Sequence, residues 1–286
     1  VHPGLLPGGR RVDDATARAE LEQTWGATIP STPGRDARAI LESPGELGVL
    51  FLAGADPVDD FGDATLGSRG IDGSPFIVAT DLLMTASSKR ANVLLPASAP
   101  AERDGTVTDW EGRRQIFGAA VTPAGVSRPD WEILSLIANE AGVAFPRTRE
   151  ALRHEMDALQ RPVEDPTPVA MPPLPMRRLD EHRPFTLLTY PLLLDAGTMM
   201  LGATELLDTA EEPFVEIGRS DAERLGITAG DRVRVTSACG RVEANARVTS
   251  AMADRCVFVP ATQFGVRGLS LLDAGEPVTL VSVEKI

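Results

Sequence analysis

A chain of 286 residues, 43% of them apolar, is long enough to bury two separate cores. Its net charge of −13, spread over two acidic halves, argues against a nucleic-acid surface. Two cysteines without a Cys-x-x-Cys pair exclude a four-thiolate iron–sulfur cluster, a zinc ribbon and a disulfide framework, which fits a reducing compartment.

No apolar run is long enough to cross a bilayer, so direct membrane insertion is not expected. Val1-His2-Pro3-Gly4 lacks an initiator Met, and Gly8-Gly9-Arg10-Arg11 is no targeting sequence; the opening reads as part of something larger. After a Gly/Pro loop, Asp14 to Trp25 carries a thin helical stripe (Ala15, Ala19, Leu21), and Asp36–Leu41 is a short helix candidate that stops before Pro44-Gly45. The run 48–54, GVLFLAG, is continuously apolar between glycines, as expected for a strand buried on both faces. Residues 76–81 and 92–95 repeat the pattern. Each run ends in a polar or turn residue at its carboxyl end, where open parallel sheets place their ligand crevices. Asp104-Gly105 reads as a turn pair. A helix is predicted from Asp130 through Ala138, with Asp130 as its cap and Gly142 as its stop.

Between 161 and 184, Pro162, Pro166, Pro168, Pro172, Pro173 and Pro175 mark an extended linker, since proline blocks both helix and ladder. Beyond it the period changes to two. Strands are predicted at 185–190, 214–217, 231–236, 242–248, 256–259 and 278–283, with a short helix at 221–226, a set of short strands like that of a small barrel. Cys256 is expected to be a buried strand residue and Cys239 a turn residue.

Three stretches carry a family resemblance. The spaced positions of ANVLLPASAPAERDGTVTDWEGRRQ, beginning at Ala91, resemble the α/β cofactor-binding domain of molybdopterin oxidoreductases. DAERLGITAGDRVRVTSACGRVEANARV, from Asp221, is similar to the molybdopterin dinucleotide-binding domain. The resemblance therefore implies α/β plus β. A Rossmann-like α/β domain at 1–160, incomplete at its amino terminus, is followed by the linker 161–184 and a double-psi β-barrel at 185–286. The opening segments LLPGGRRV, WGATIPSTPGRDARAIL and LFLAGADPVDD resemble the large iron–sulfur subunits of NADH–quinone oxidoreductase, respiratory complex I, in their actinobacterial form. In those subunits the clusters sit in an amino-terminal region. The implied role is a structural body that packs against other peripheral-arm subunits at the cytoplasmic face of the plasma membrane. Electron passage from NADH through FMN and iron–sulfur clusters to quinone would belong to the parent complex.

The resemblance implies a vestigial pterin pocket, with Gly197 and Thr198 from the family's Gly-Thr turn and Gly54, Asp56 and Asp81 from the carboxyl ends of the apolar strands. Cofactor-holding relatives follow the Gly-Thr pair with polar or basic groups; here Met199, Met200 and Leu201 follow. Where such relatives place an Asn before an apolar–Thr pair, this chain reads Arg267-Gly268-Leu269-Ser270. A polyanionic dinucleotide buried with too few donors is costly, so no pterin, metal or catalytic residue is expected in this segment. Duller readings stand beside the sharper ones. Asp56 and Asp81 would more simply cap the turns or helices that follow them, and instead of an acid/base pair among Glu102, Asp104 and Glu111, Glu102 and Glu111 would make local salt bridges or turn hydrogen bonds with Arg103, Arg113 or Arg114. Met199-Met200-Leu201 is expected to be a packed loop rather than an interface strip. His2, His154 and His182 have no partner at metal-ligand spacing. Two other classes remain: the carboxyl-terminal domains of an active molybdenum bis-pterin enzyme of the formate dehydrogenase type, and a free-standing nucleotide-binding module.

Overall fold

The computed structural model describes residues 5–111, 113–159, 181–200, 202–273 and 275–286. Most of the expected linker (161–180) lies outside the described residues, as do residues 1–4, Gly112 and Leu201. The chain packs as two compact units, Val1–Ile40 with Leu95–Pro172 and Leu41–Leu94 with Pro173–Ile286. The packing units cut across the sequence-order segments: residues 41–94 belong with the barrel.

In the first unit, α1 (Ala15–Trp25) is capped by Asp14, whose carboxylate accepts from the Thr16 and Ala17 N–H groups, and ends at Gly26. The short α2 (Ala37–Glu42) straddles the division between the units.

The second unit begins with a β–α–β segment. β1 (Leu50–Ala53) leads through α3 (Pro57–Asp60) and α4 (Ala64–Asp72) to β2 (Ile77–Asp81), which it pairs in parallel. β3 (Val93–Pro96), which like α2 straddles the division between the units, completes a sheet of order β1-β2-β3. α4 was not foreseen, because Gly67, Gly70 and Gly73 disfavour a helix intrinsically. The structure shows why Gly67 is there: a Cβ would lie 2.0 Å from the Pro57 carbonyl oxygen, so only glycine lets α4 approach α3 this closely. The sheet corrects one expectation. β1 alternates buried and exposed residues instead of being covered on both faces; Leu50 and Leu52 are buried, whereas Phe51 stays 37% and Val49 56% exposed.

β4 (Gly105–Thr108) and β5 (Arg114–Phe117), back in the first unit, form an isolated antiparallel ribbon. Asp104-Gly105 is therefore not its turn. Gly105 opens β4 opposite Phe117, and the reversal falls at Asp109, whose carboxylate accepts from the Glu111 and Arg113 N–H groups. α5 (Asp130–Glu140) follows, with Pro129 rather than Asp130 at the cap position. Asp130 is the first helical residue and its carboxylate takes the Arg103 guanidinium at 2.8 Å. α6 (Arg149–Leu159) closes this unit's described elements.

In the second unit the remaining strands close into a barrel. β6 (Phe185–Leu188), β7 (Phe214–Gly218), β8 (Arg232–Thr236), β9 (Arg241–Thr249), β10 (Cys256–Phe258) and β11 (Leu280–Lys285) follow the closed order β10-β6-β11-β8-β9-β7. Two pairings, β10 with β6 and β7 with β9, are parallel; the rest are antiparallel. The period of two read from Val233, Val235, Val242, Ala244 and Ala246 puts all five inside, with Phe185, Val215, Ile217, Val257 and Val281. Two short helices decorate it, α7 (Thr204–Leu207) and α8 (Arg219–Leu225), the latter stopped by Gly226. Asp221 on α8 is buried and accepts from the Arg255 N–H at 2.7 Å. That bond helps hold Arg255 at φ 57°, the one non-glycine residue at positive φ among those described. Cys256 is only partly buried, contrary to expectation; Cys239 is in the β8–β9 turn as read, and neither forms a disulfide.

Candidate functional site

Within the second unit the carboxyl ends of β1 and β2 meet the loops that follow β6 and β10, around a cavity of about 180 Å³. Its walls include Asp56, Asp59, Asp60, Lys89, Gly197 and Arg267. Of the five residues assigned to a former pterin pocket, Asp56, Gly197 and Thr198 line this cavity; Gly54 and Asp81 do not.

Asp56 is buried and hydrogen-bonded. Its carboxylate accepts from the Ala86 N–H (3.2 Å), the Ser87 N–H (3.0 Å) and the Ser87 hydroxyl. The Ser87 oxygen in turn accepts from the Val58 N–H. The carboxylate thus ties the loop after β2 to α3, with three of its acceptor positions taken by protein donors. Asp81 is committed likewise, accepting from the Leu82 N–H and the Thr85 hydroxyl. Asp81 thus serves the turn that follows it, as the duller reading expects, whereas Asp56 makes no side-chain bond to α3, the helix it precedes, and binds the distant loop after β2 instead. Glu102 accepts from the Ala99 and Ala124 N–H groups, and Glu111 pairs with Arg113. Neither forms an acid/base pair.

On the barrel side, Gly197 donates to Asp195 Oδ1, and the Thr262 hydroxyl donates to Asp195 Oδ2 at 2.7 Å. The Gly-Thr turn is therefore held by Asp195, which the sequence reading passed over. Met199, expected to pack, is 91% exposed. Sequence reasoning also missed Asp59, Asp60, Lys89 and Arg267. The acidic pair directly after Pro57 was a usable signal; nothing local announces that Arg267 meets it. Arg267 Nη1 pairs with Asp59 Oδ1 at 2.8 Å. Burial first, then the Asp56 and Asp59 carboxylates, raise the pKa of Asp60 from its ordinary value of 3.8, opposed by Arg267.

These walls do not suit a pterin dinucleotide. By itself the cavity lies below the roughly 300–1,000 Å³ of ordinary small-molecule sites; it shares Ala196, Thr262 and Arg267 with a larger cavity of about 690 Å³ on the barrel. Three carboxylates face it against two cations, one of which is already paired. At Gly268 a Cβ would sit 2.6 Å from the Pro260 carbonyl oxygen and 2.7 Å from that of Val259, so the backbone leaves no room for the amide that cofactor-holding relatives carry. His154 and His182 are exposed, and among the described residues no group of three or more His, Cys, Asp or Glu side chains is placed to hold a metal. No helix among them is long and apolar enough to cross a membrane.

Two family models match the chain: molybdopterin oxidoreductase over residues 12–140, and the molybdopterin dinucleotide binding domain over residues 185–280. An NADH-quinone oxidoreductase subunit of Streptomyces coelicolor is 34% identical over 98% of this chain and 34% of its own length. F420-dependent formate dehydrogenase 2 subunit alpha of Methanococcus maripaludis is 29% identical over 90% of this chain and 44% of its own. Acetylene hydratase from Pelobacter acetylenicus superposes with a TM-score of 0.67 at 15% identity, covering 96% of this chain and 50% of that one, a likeness of fold alone. The chain spans about a third of the length of the first of these relatives.

Proposed function

Because the chain belongs to the molybdopterin oxidoreductase family, we propose that it is the carboxyl-terminal body of the large iron–sulfur component of an NADH:quinone oxidoreductase, with no catalytic centre of its own. On this reading the parent assembly passes electrons from NADH through FMN and iron–sulfur clusters to quinone. The clusters belong to an amino-terminal part of that component, and this body carries neither cluster nor pterin. It packs against other peripheral-arm subunits on the cytoplasmic face of the membrane and binds no nucleic acid. The observation that supports it best is the acid-lined, 180 Å³ cavity at the position assigned to the pterin, with Arg267 held by Asp59. Displacing a buried, hydrogen-bonded carboxylate such as Asp56 to admit phosphates leaves charge uncompensated, which costs several kcal/mol per ion.

The test is elemental analysis of the native, full-length protein for molybdenum and tungsten, with pterin fluorescence after oxidation. The expected result is neither metal near stoichiometry and no pterin. Stoichiometric metal with pterin would overturn the reading in favour of a second one, the carboxyl-terminal domains of an active bis-pterin oxidoreductase. The similarity to a formate dehydrogenase alpha subunit over 90% of the chain favours that alternative.

A further inference from the structure

A second cavity on the barrel, of about 690 Å³, is bounded by β8, β9 and the turn 262–267. Its size falls within the roughly 300–1,000 Å³ of ligand sites. Its charged walls are Arg232, Arg241, Glu243 and Arg267. Glu243 is already bound to Arg234 at 2.8 Å, and Arg267 to Asp59. Among the described residues, the Arg232 and Arg241 guanidinium groups have no carboxylate, hydrogen-bond or ring partner. In a chain of net charge −13, two uncompensated arginines facing one cavity are a local excess of positive charge on an acidic molecule. Phe264 stands beside them, 58% exposed. It rises from a turn whose neighbouring Gln263 is buried and accepts from the Phe214 N–H.

The strand register sets the spacing. Arg241 lies opposite Thr236, four positions along β8 from Arg232, roughly 13 Å at the rise of a strand. A single phosphate or carboxylate is too small to satisfy both groups, whereas an extended peptide repeats its side chains at the same rise. We propose that this cavity receives an acidic, extended segment of a partner polypeptide, its carboxylates on Arg232 and Arg241 and an apolar side chain against Phe264. The inference rests on the reading of the chain as one component of an assembly, and it gives that assembly a specific contact.

The experiment is a fluorescence-anisotropy titration of the full chain with a short labelled peptide carrying two glutamates four positions apart and a phenylalanine between them. Saturable binding that weakens with added salt is expected. The double variant R232Q/R241Q should bind at least about tenfold more weakly, as two charge-assisted contacts imply, while R232K/R241K retains most of the affinity. Both arginines are exposed on the outer wall of the barrel, so unchanged thermal melting checks that the variants fold. A peptide with glutamines in place of glutamates should lose binding to the same degree. Equal binding by wild type and R232Q/R241Q, or no saturation at millimolar peptide, overturns the proposal. So does displacement by inorganic pyrophosphate at lower concentration than the peptide, which would assign the cavity to a small anion. None of these outcomes touches the metal and pterin analysis, so the two readings fail separately.

Discussion

The barrel and the three-stranded sheet, all but the last two residues of β3, belong to one compact unit but solve burial differently. In the barrel every strand has two neighbours and the inward residues meet in one cluster. In the sheet β1 and β3 are edges, and Val49, Phe51, Phe76 and Val93 remain at least a third exposed. A closed barrel supplies its own partner surface, so its stability resides within the chain. A short open sheet whose β1 and β2 run parallel, with apolar residues left exposed, derives less from its own residues, since parallel strands are ordinarily covered on both sides. For a protein read as a structural body, the barrel is the self-sufficient part.

The largest expected effect separates the two regions directly. Phe185→Ala, at a position 1% exposed inside the barrel, should cost about 3–5 kcal/mol in denaturant unfolding. Phe51→Ala on the open sheet face should cost less than about 2 kcal/mol. Equal losses would break the comparison. Next in size is Gly268→Asn, which puts back the amide that pterin-holding relatives carry. The clash with the Pro260 and Val259 carbonyls predicts a loss of about 1–3 kcal/mol, read as a lower Tm. An unchanged Tm would mean that the cavity wall yields, and would weaken the case against a pterin.

The smallest effect is electrostatic and has opposite signs in the two regions. On the barrel, Asp231 accepts from Lys285 and from the backbone and hydroxyl of Thr228, which lowers its pKa from 3.8 to about 2. Its contribution to stability is therefore present above pH 3.8 and disappears as pH falls toward about 2. Asp231→Asn should flatten that acid limb. Asp60, beside the sheet, has a raised pKa. Its folded form prefers the proton, so it opposes folding once pH rises above 3.8 and through its shifted value. Asp60→Asn should leave stability in strong acid unchanged and raise it slightly at neutral pH. Melting curves of both variants between pH 2 and 7 check the signs.

Much of this was legible in the residues themselves. Valines alternating with arginines from Asp231 to Thr236 gave the barrel strand and its inward face, because a period of two leaves no other choice. The apolar runs at 48–54 and 76–81 gave β1 and β2; of the five residues read as a former pocket, Asp56, Gly197 and Thr198 line one cavity while Gly54 and Asp81 do not. What local pattern concealed was any element whose residues make sense only against a distant neighbour. Gly67 weakens a helix in isolation and permits α4 only because the Pro57 backbone lies against it. Gly105 was read as a turn, and only its pairing with Phe117 makes it a strand residue.

The sequence alone therefore determined the two kinds of architecture and the strands of the barrel, since hydrophobic period is a property of neighbours along the chain. Only the tertiary structure decided which charges meet. Arg267 lies more than two hundred residues from Asp59 and takes its carboxylate, while among the described residues Arg232 and Arg241 find none. Charge pairing depends on distances across the fold, and no local pattern encodes them.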